Sequence, residues 1–152
     1  MHWIIRDIAN DANTFSGKTL RFEENVANAR GTTSFIDVFC EQCIPPNLKI
    51  EYKSGPGSIT AGTIKDQFIE RDLFSAENLN EIQWRMTNTG MTKEKMVDWM
   101  KANKTSLEQI LNADPARRSK IASWFNLARG TTTIPDQKII DFVNNNYTTI
   151  FR

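Results

Sequence analysis

The chain has almost no histidine and little cysteine. Its 152 residues include one histidine, His2, and two cysteines, Cys40 and Cys43. A nuclease mechanism that depends on histidine therefore has little support. A structural zinc site takes four ligands, so the Cys40-x-x-Cys43 pair alone is a poor one. Structural or incidental thiols are the favoured interpretation, with a redox pair and metal ligation as the weaker alternatives.

The chain also lacks an excess of charge and long apolar runs. Its 19 Lys and Arg nearly balance its 18 Asp and Glu, for a formal net charge of +1. Dedicated DNA-binding proteins are usually strongly basic, so a nucleic-acid enzyme of this composition must concentrate positive charge locally or bind a metal. No apolar run approaches the roughly 20 residues that span a membrane, and the start has no apolar core of a secretion signal. We therefore predict no membrane-spanning segment, although the chain can still be the end of a longer exported protein.

The hydrophobic periodicity predicts one α/β (α+β) domain over residues 1–152, with a small mixed central sheet flanked by helices. Residues 1–90 are expected to form the core and 91–152 a helical C-terminal extension. The predicted strands are Ser34–Cys40, Leu48–Ser54 and Glu81–Met86. The predicted helices cover the first dozen residues and then Lys18–Arg30, Thr60–Asp72, Thr92–Asn103, Ser106–Asn112, Pro115–Arg129 and Pro135–Asn144.

The strand Leu48–Ser54 has one apolar and one polar face. Residues i and i+2 of a strand share a face, so Glu51 and Lys53 are expected to project together beside Lys49. An acid next to a base suits phosphodiester hydrolysis, in which carboxylates hold a divalent ion and a cation neutralises charge on the phosphate. Ordinary surface charge is the competing interpretation, because a second acid-x-lysine triplet occurs at Asp136-Gln137-Lys138.

Two further acids stand among apolar residues. Asp37 lies between Phe35 and Phe39 in a strand that is apolar on both faces, and such a strand is usually buried. A buried carboxylate needs a partner or a metal. On a helical wheel of Lys18–Arg30, Glu23 falls on the apolar side. The sequence therefore suggests that Glu23 and Asp37 approach the same site.

In their order along the chain, Glu23, Asp37 and Glu51-x-Lys53 resemble the PD-(D/E)xK nuclease superfamily, the fold of many restriction endonucleases. The stretch Gly17–Ser54 is similar to bacterial polymorphic toxin nucleases, including contact-dependent growth inhibition toxins. The chain departs from the family name in having Ile36 before Asp37 where a proline would stand.

The resemblance implies a divalent metal, most of all Mg²⁺, with Mn²⁺ or Zn²⁺ as alternatives. Asp37 and Glu51 would ligate it, and the carbonyl of Tyr52 is a further candidate ligand. Glu23 would complete or orient the shell, and Lys53 would position water and stabilise the charged transition state. The resemblance also implies a DNA or tRNA substrate and a cognate immunity protein. It further implies export as part of a larger protein, with action in the cytoplasm of the target cell.

Other residues have open interpretations. Gln67, Lys65 and Arg85 are candidate substrate contacts, with plain helix or strand surface as the alternative. Trp99, Trp124 and Phe125 are expected in the core rather than stacked on bases. The basic side chains of the predicted helix Pro115–Arg129 favour a solvated face, and the alternative function is a non-catalytic DNA-binding module with helix-turn-helix-like C-terminal helices. These basic side chains are Arg117, Arg118, Lys120 and Arg129.

Overall fold

A four-stranded mixed sheet organises residues 2–152, which are the residues described by the computed structural model. Strands β1, β2 and β3 form an antiparallel meander, and β4 adds parallel to β3. The strands are β1 Arg21–Ala27, β2 Thr33–Cys40, β3 Leu48–Ser54 and β4 Ile82–Thr87. This mixed sheet with surrounding helices confirms the predicted α+β class.

The helices surround the sheet and then continue to the C-terminus. None of the helices in the described residues is long and apolar enough to cross a membrane. Before β1 lie α1 His2–Asn10 and α2 Ala12–Phe15; between β3 and β4 lie α3 Ala61–Thr63, a π-helix Ile64–Leu73 and a 3-10 helix Leu79–Glu81. After β4 come α4 Lys93–Ala102, α5 Lys104–Leu111, α6 Pro115–Trp124 and α7 Asp136–Ile150.

Each face of the sheet packs on a separate apolar cluster. On one face, Ile50 and Tyr52 pack with side chains of α1, and the rings of Trp3 and Tyr52 meet edge to face at 5.1 Å. On the other face, fully buried Trp84 packs against Phe68 of the π-helix. This second cluster extends through the C-terminal helices. The helical C-terminal part therefore shares its core with β4.

The predicted helix Lys18–Arg30 is wrong, because this segment contains strand β1 and the hairpin that leads into β2. The apolar residues of this segment fit one side of a helical wheel, but the segment forms a strand because its backbone hydrogen-bonds to β2. Buried Asn28 closes the turn: its side-chain oxygen accepts hydrogen bonds from the amides of Arg30 and Thr32, and its amide nitrogen donates to Ser34. Glu23 therefore lies on a strand.

Most other element predictions hold, with changes at the ends. The strands predicted at Ser34–Cys40 and Leu48–Ser54 are confirmed within one residue. The helix predicted over Pro115–Arg129 ends early, at Trp124, and Asn126 then adopts a positive φ of 49°. The two cysteines form a disulfide between Cys40 and Cys43, so their sulfurs are neither free thiols nor metal ligands in this structure.

Candidate active site

Glu51 and Lys53 lie on the same face of β3, as their spacing predicts. Lys53 Nζ is 2.6 Å from Glu51 Oε1 and 5.6 Å from the centre of the Trp84 ring. Glu51 is buried, whereas Lys53 is half-buried. The strand thus presents a carboxylate and an ammonium group side by side, with the ammonium group closer to solvent.

Asp37 reaches this pair from the neighbouring strand. Its Oδ2 accepts a hydrogen bond of 2.7 Å from the backbone amide of Tyr52, the residue between Glu51 and Lys53. The prediction that the Asp37 strand is buried on both faces is wrong, because Phe35 is 61% exposed and Asp37 is half-buried. Half-buried Asp37 and Lys53 are therefore the parts of the site that contact solvent, whereas Glu51 is buried.

Arg71 of the π-helix completes the cluster, and sequence reasoning missed it. The guanidinium group lies 2.9 Å from Glu51 Oε2 and 2.6 Å from Asp72 Oδ1, and it donates to the carbonyl oxygen of Phe35 at 2.7 Å. Trp84 Nε1 donates to the other oxygen of Asp72 at 2.7 Å. Arg71 therefore links the π-helix to both strands of the candidate site. The signal that marks it is the run Glu70-Arg71-Asp72 beside Ile69 and Leu73, which places charges where the helix meets the core.

Burial dominates the electrostatics of Glu51. It raises the pKa of this carboxyl, although the positive charges of Arg71 and Lys53 oppose the shift. Burial alone would lower the pKa of Arg71, but Asp72 and Glu51 outweigh it and raise that pKa. Arg71 therefore stays charged, whereas Glu51 can gain a proton more easily than an exposed glutamate.

The other predicted residues are placed less favourably. Glu23 lies between the paired positions Phe22–Val38 and Glu24–Ile36 and is itself not paired in the ladder; it is exposed and its φ is +52°. Lys65 is 42% exposed and pairs with Glu70 at 3.1 Å. Gln67 Oε1 is buried and has no hydrogen-bond partner among residues 2–152.

Arg85 lies on the wrong face of the sheet for the predicted contact with substrate. In the parallel pairing of β3 and β4, Arg85 lies beside Tyr52. Both side chains therefore point to the face opposite that of Glu51 and Lys53. Its guanidinium group is held by Asp7 at 2.6 Å and by Asp11 at 2.5 Å. Arg85 therefore fixes α1 to the sheet.

The donor set is compatible with a divalent ion held by two carboxylates. Among the described residues, no group of three or more His, Cys, Asp or Glu side chains is arranged to hold a metal. However, Mg²⁺ commonly uses one or two protein carboxylates and completes its shell with water and substrate phosphate. Glu51 Oε2 is buried without a well-aligned hydrogen bond, despite its proximity to Arg71. Glu51 and Asp37 would be the side chains to hold such an ion, and Glu51 would have to exchange its ion pair with Lys53 for the metal.

Comparisons of the chain with models of protein families, with curated proteins and with solved structures gave no significant match.

Proposed function

We propose that this chain is a divalent-metal-dependent nuclease that hydrolyses phosphodiester bonds of DNA or tRNA. The observation that carries the proposal is the arrangement of Asp37, Glu51 and Lys53 on two neighbouring strands: Lys53 pairs with Glu51, and Asp37 accepts a hydrogen bond from Tyr52, the residue between them. Glu51 is buried, and half-buried Asp37 and Lys53 bring the site to the surface. Two carboxylates and one ammonium group are the parts that metal-assisted phosphodiester hydrolysis requires.

Each residue has a role that follows from its position. The carboxylates of Glu51 and Asp37 would hold the metal, which when bound would polarise the phosphate and lower the pKa of water. Lys53, the more exposed member of its ion pair, would place positive charge where negative charge develops on the phosphate. Arg71 would act as a positioning residue, because it contacts Glu51 from the buried side.

The biological setting of this proposal comes from the resemblance of Gly17–Ser54. We infer that the chain is the C-terminal toxin domain of a bacterial polymorphic or contact-dependent toxin, exported with a larger protein and neutralised by an immunity protein. Growth arrest on expression inside a bacterium would test this inference. Lys53→Met should relieve the arrest while the protein remains folded, as judged by its melting curve. Normal growth with folded wild-type protein would contradict it.

The alternative of a non-catalytic DNA-binding module has one supporting feature, the short turn between α5 and basic α6. Two of the α6 cations are turned onto neighbouring aromatic rings, since Arg117 lies 3.7 Å from the Phe74 ring centre and Lys120 lies 5.5 Å from that of Trp124. This arrangement favours the lining of a cavity over the outward face of a recognition helix.

Cleavage of plasmid DNA and of tRNA, with Mg²⁺ or with chelator, tests the proposed activity. The wild type should cut one of the two only with Mg²⁺, and Glu51→Gln and Lys53→Met should lose that activity by orders of magnitude. Lys138→Met, in the other acid-x-lysine triplet, is the matched control and should cleave normally. Chelator-resistant cleavage, or equal activity in Lys53→Met, would contradict the proposal.

A further inference from the structure

A cavity of about 440 Å³ lies between α6 and the segment that precedes the 3-10 helix. Its size falls within the range of small-molecule sites in proteins. The lining is polar apart from Ala116 and the Trp124 ring, and its polar members include Glu77, Asn78, Arg117, Ser119, Lys120 and Ser123. Phe125 is buried, as predicted, whereas Trp99 and Trp124 are half-buried against the core, and Trp124 also borders the cavity. The predicted solvated face needs correction, because Arg117, Arg118 and Lys120 are half-buried and only Arg129 is exposed.

Lys120 is the best anion-binding group of this cavity. Its side chain is only 13% exposed, and its ion-pair partner Glu77 is 4.0 Å away and 83% exposed. Burial lowers the pKa of the Lys120 amine, while Glu77 opposes this shift. By contrast, Arg117 is held by Asp114 and by the carbonyl oxygen of Phe74. Lys120 thus carries a poorly compensated charge that a phosphate would stabilise.

Trp124 adds a surface for a planar group beside this charge. Lys120 Nζ lies 5.5 Å from the ring centre, so the cation and the aromatic ring border the same space. An aromatic ring next to a cation is the combination that binds an unstacked base and its phosphate in single-stranded nucleic acid. A base inside a duplex cannot reach a ring recessed in a cavity without leaving its stack.

Glu81 lies between this cavity and Lys49, because its carboxylate accepts hydrogen bonds from the Glu77 amide at 3.2 Å and from the Asn78 side chain at 3.4 Å. Lys49 shares its face of β3 with Glu51, and two residues along a strand span roughly 7 Å. Lys49 Nζ is 2.7 Å from Glu81 Oε2, and both charges are close enough to Lys120 to affect its pKa. The cavity and the candidate site are thus separated by the Lys49–Glu81 ion pair.

We propose that this cavity binds an unstacked nucleotide of a single-stranded nucleic-acid segment that flanks the cleaved phosphate. The inference rests on the proposed nuclease function and specifies its substrate class. The base packs on Trp124 and an adjoining phosphate pairs with Lys120. Exposed Glu77 is displaced toward solvent when the phosphate binds.

Fluorescence anisotropy with labelled oligonucleotides, in chelator so that no metal-dependent cleavage occurs, tests the proposal. Single-stranded RNA or DNA should bind more tightly than a duplex of the same sequence, and separate RNA and DNA arms identify the preferred backbone. Trp124→Leu should weaken single-strand binding about 5- to 150-fold. Lys120→Gln should reduce the slope of log affinity against log salt concentration by about 0.7.

Lys101→Gln provides the control, because Lys101 is 37% exposed and makes only a surface ion pair with Asp136. Melting curves separate lost binding from unfolding, and Lys120→Gln keeps the test valid if Trp124→Leu fails to fold. Equal affinity for duplex and single strand would overturn the proposal. So would a Lys120→Gln variant whose affinity and salt dependence match those of Lys101→Gln. Since binding is measured without cleavage, its failure is distinguishable from failure of the nuclease assignment.

Discussion

Removal of the buried charge of Arg71 should destabilise the protein strongly. The side chain is 3% exposed and contacts two carboxylates, Glu51 and Asp72, which are 6% and 3% exposed. Removing one partner of a buried ion pair costs about 3–5 kcal/mol, because a charge is left uncompensated. Lys53 and Trp84 continue to contact these carboxylates, so we expect Arg71→Met to lower the free energy of unfolding by about 3 kcal/mol, at the low end of that range.

Urea unfolding of Arg71→Met at neutral pH measures this cost. Arg21→Met is the matched control, because Arg21 also pairs with two acids but is 49% exposed, and it should cost less than about 1 kcal/mol. The cost for Arg71 should shrink as the pH falls and Glu51 gains a proton. A loss below about 1 kcal/mol at neutral pH, or one that does not change with pH, would refute the assignment of the penalty to stranded carboxylates.

Three further predictions concern the site and its hairpin. Burial raises the pKa of Glu51 above its ordinary 4.5. Protonation of Glu51 therefore stabilises the fold fully below pH 4.5, and this contribution is lost as the pH rises through the pKa of the folded state. The difference in free energy of unfolding between the wild type and Glu51→Gln, measured against pH, should show this loss. Asn28→Ala should cost about 1–3 kcal/mol in urea unfolding, because it removes the hydrogen bonds that the Asn28 side chain makes with Arg30, Thr32 and Ser34. A neutral effect would contradict the role of the turn. Glu23→Gly should raise the melting temperature, since Glu23 has a positive φ, whereas Glu24→Gly should lower it; the reverse order would refute this backbone assignment.

The alternation of apolar and polar residues was sufficient to predict strand β3, which carries Glu51 and Lys53, but not the elements that pack around it. Alternation along β3 depends on backbone geometry alone, so the shared face of Glu51 and Lys53 could be read from their spacing. The conformation around Glu23 depends on pairing with β2, which is a nonlocal interaction, so a helical wheel gave the wrong answer. The roles of Arg71 and Arg85 depend on which carboxylates other elements bring near them, and sequence spacing does not contain that information.

The chemical assignment of the site can be tested by one comparison of initial cleavage rates. At saturating Mg²⁺, the wild type and Lys53→Met are compared on the nucleic acid that the wild type cuts, with melting curves to confirm that both are folded. The account predicts a fall of about 100-fold or more in Lys53→Met, the effect typical of removing one group that stabilises transition-state charge. A folded Lys53→Met variant that cleaves at the wild-type rate would contradict the assignment of Asp37, Glu51 and Lys53 as a nuclease site.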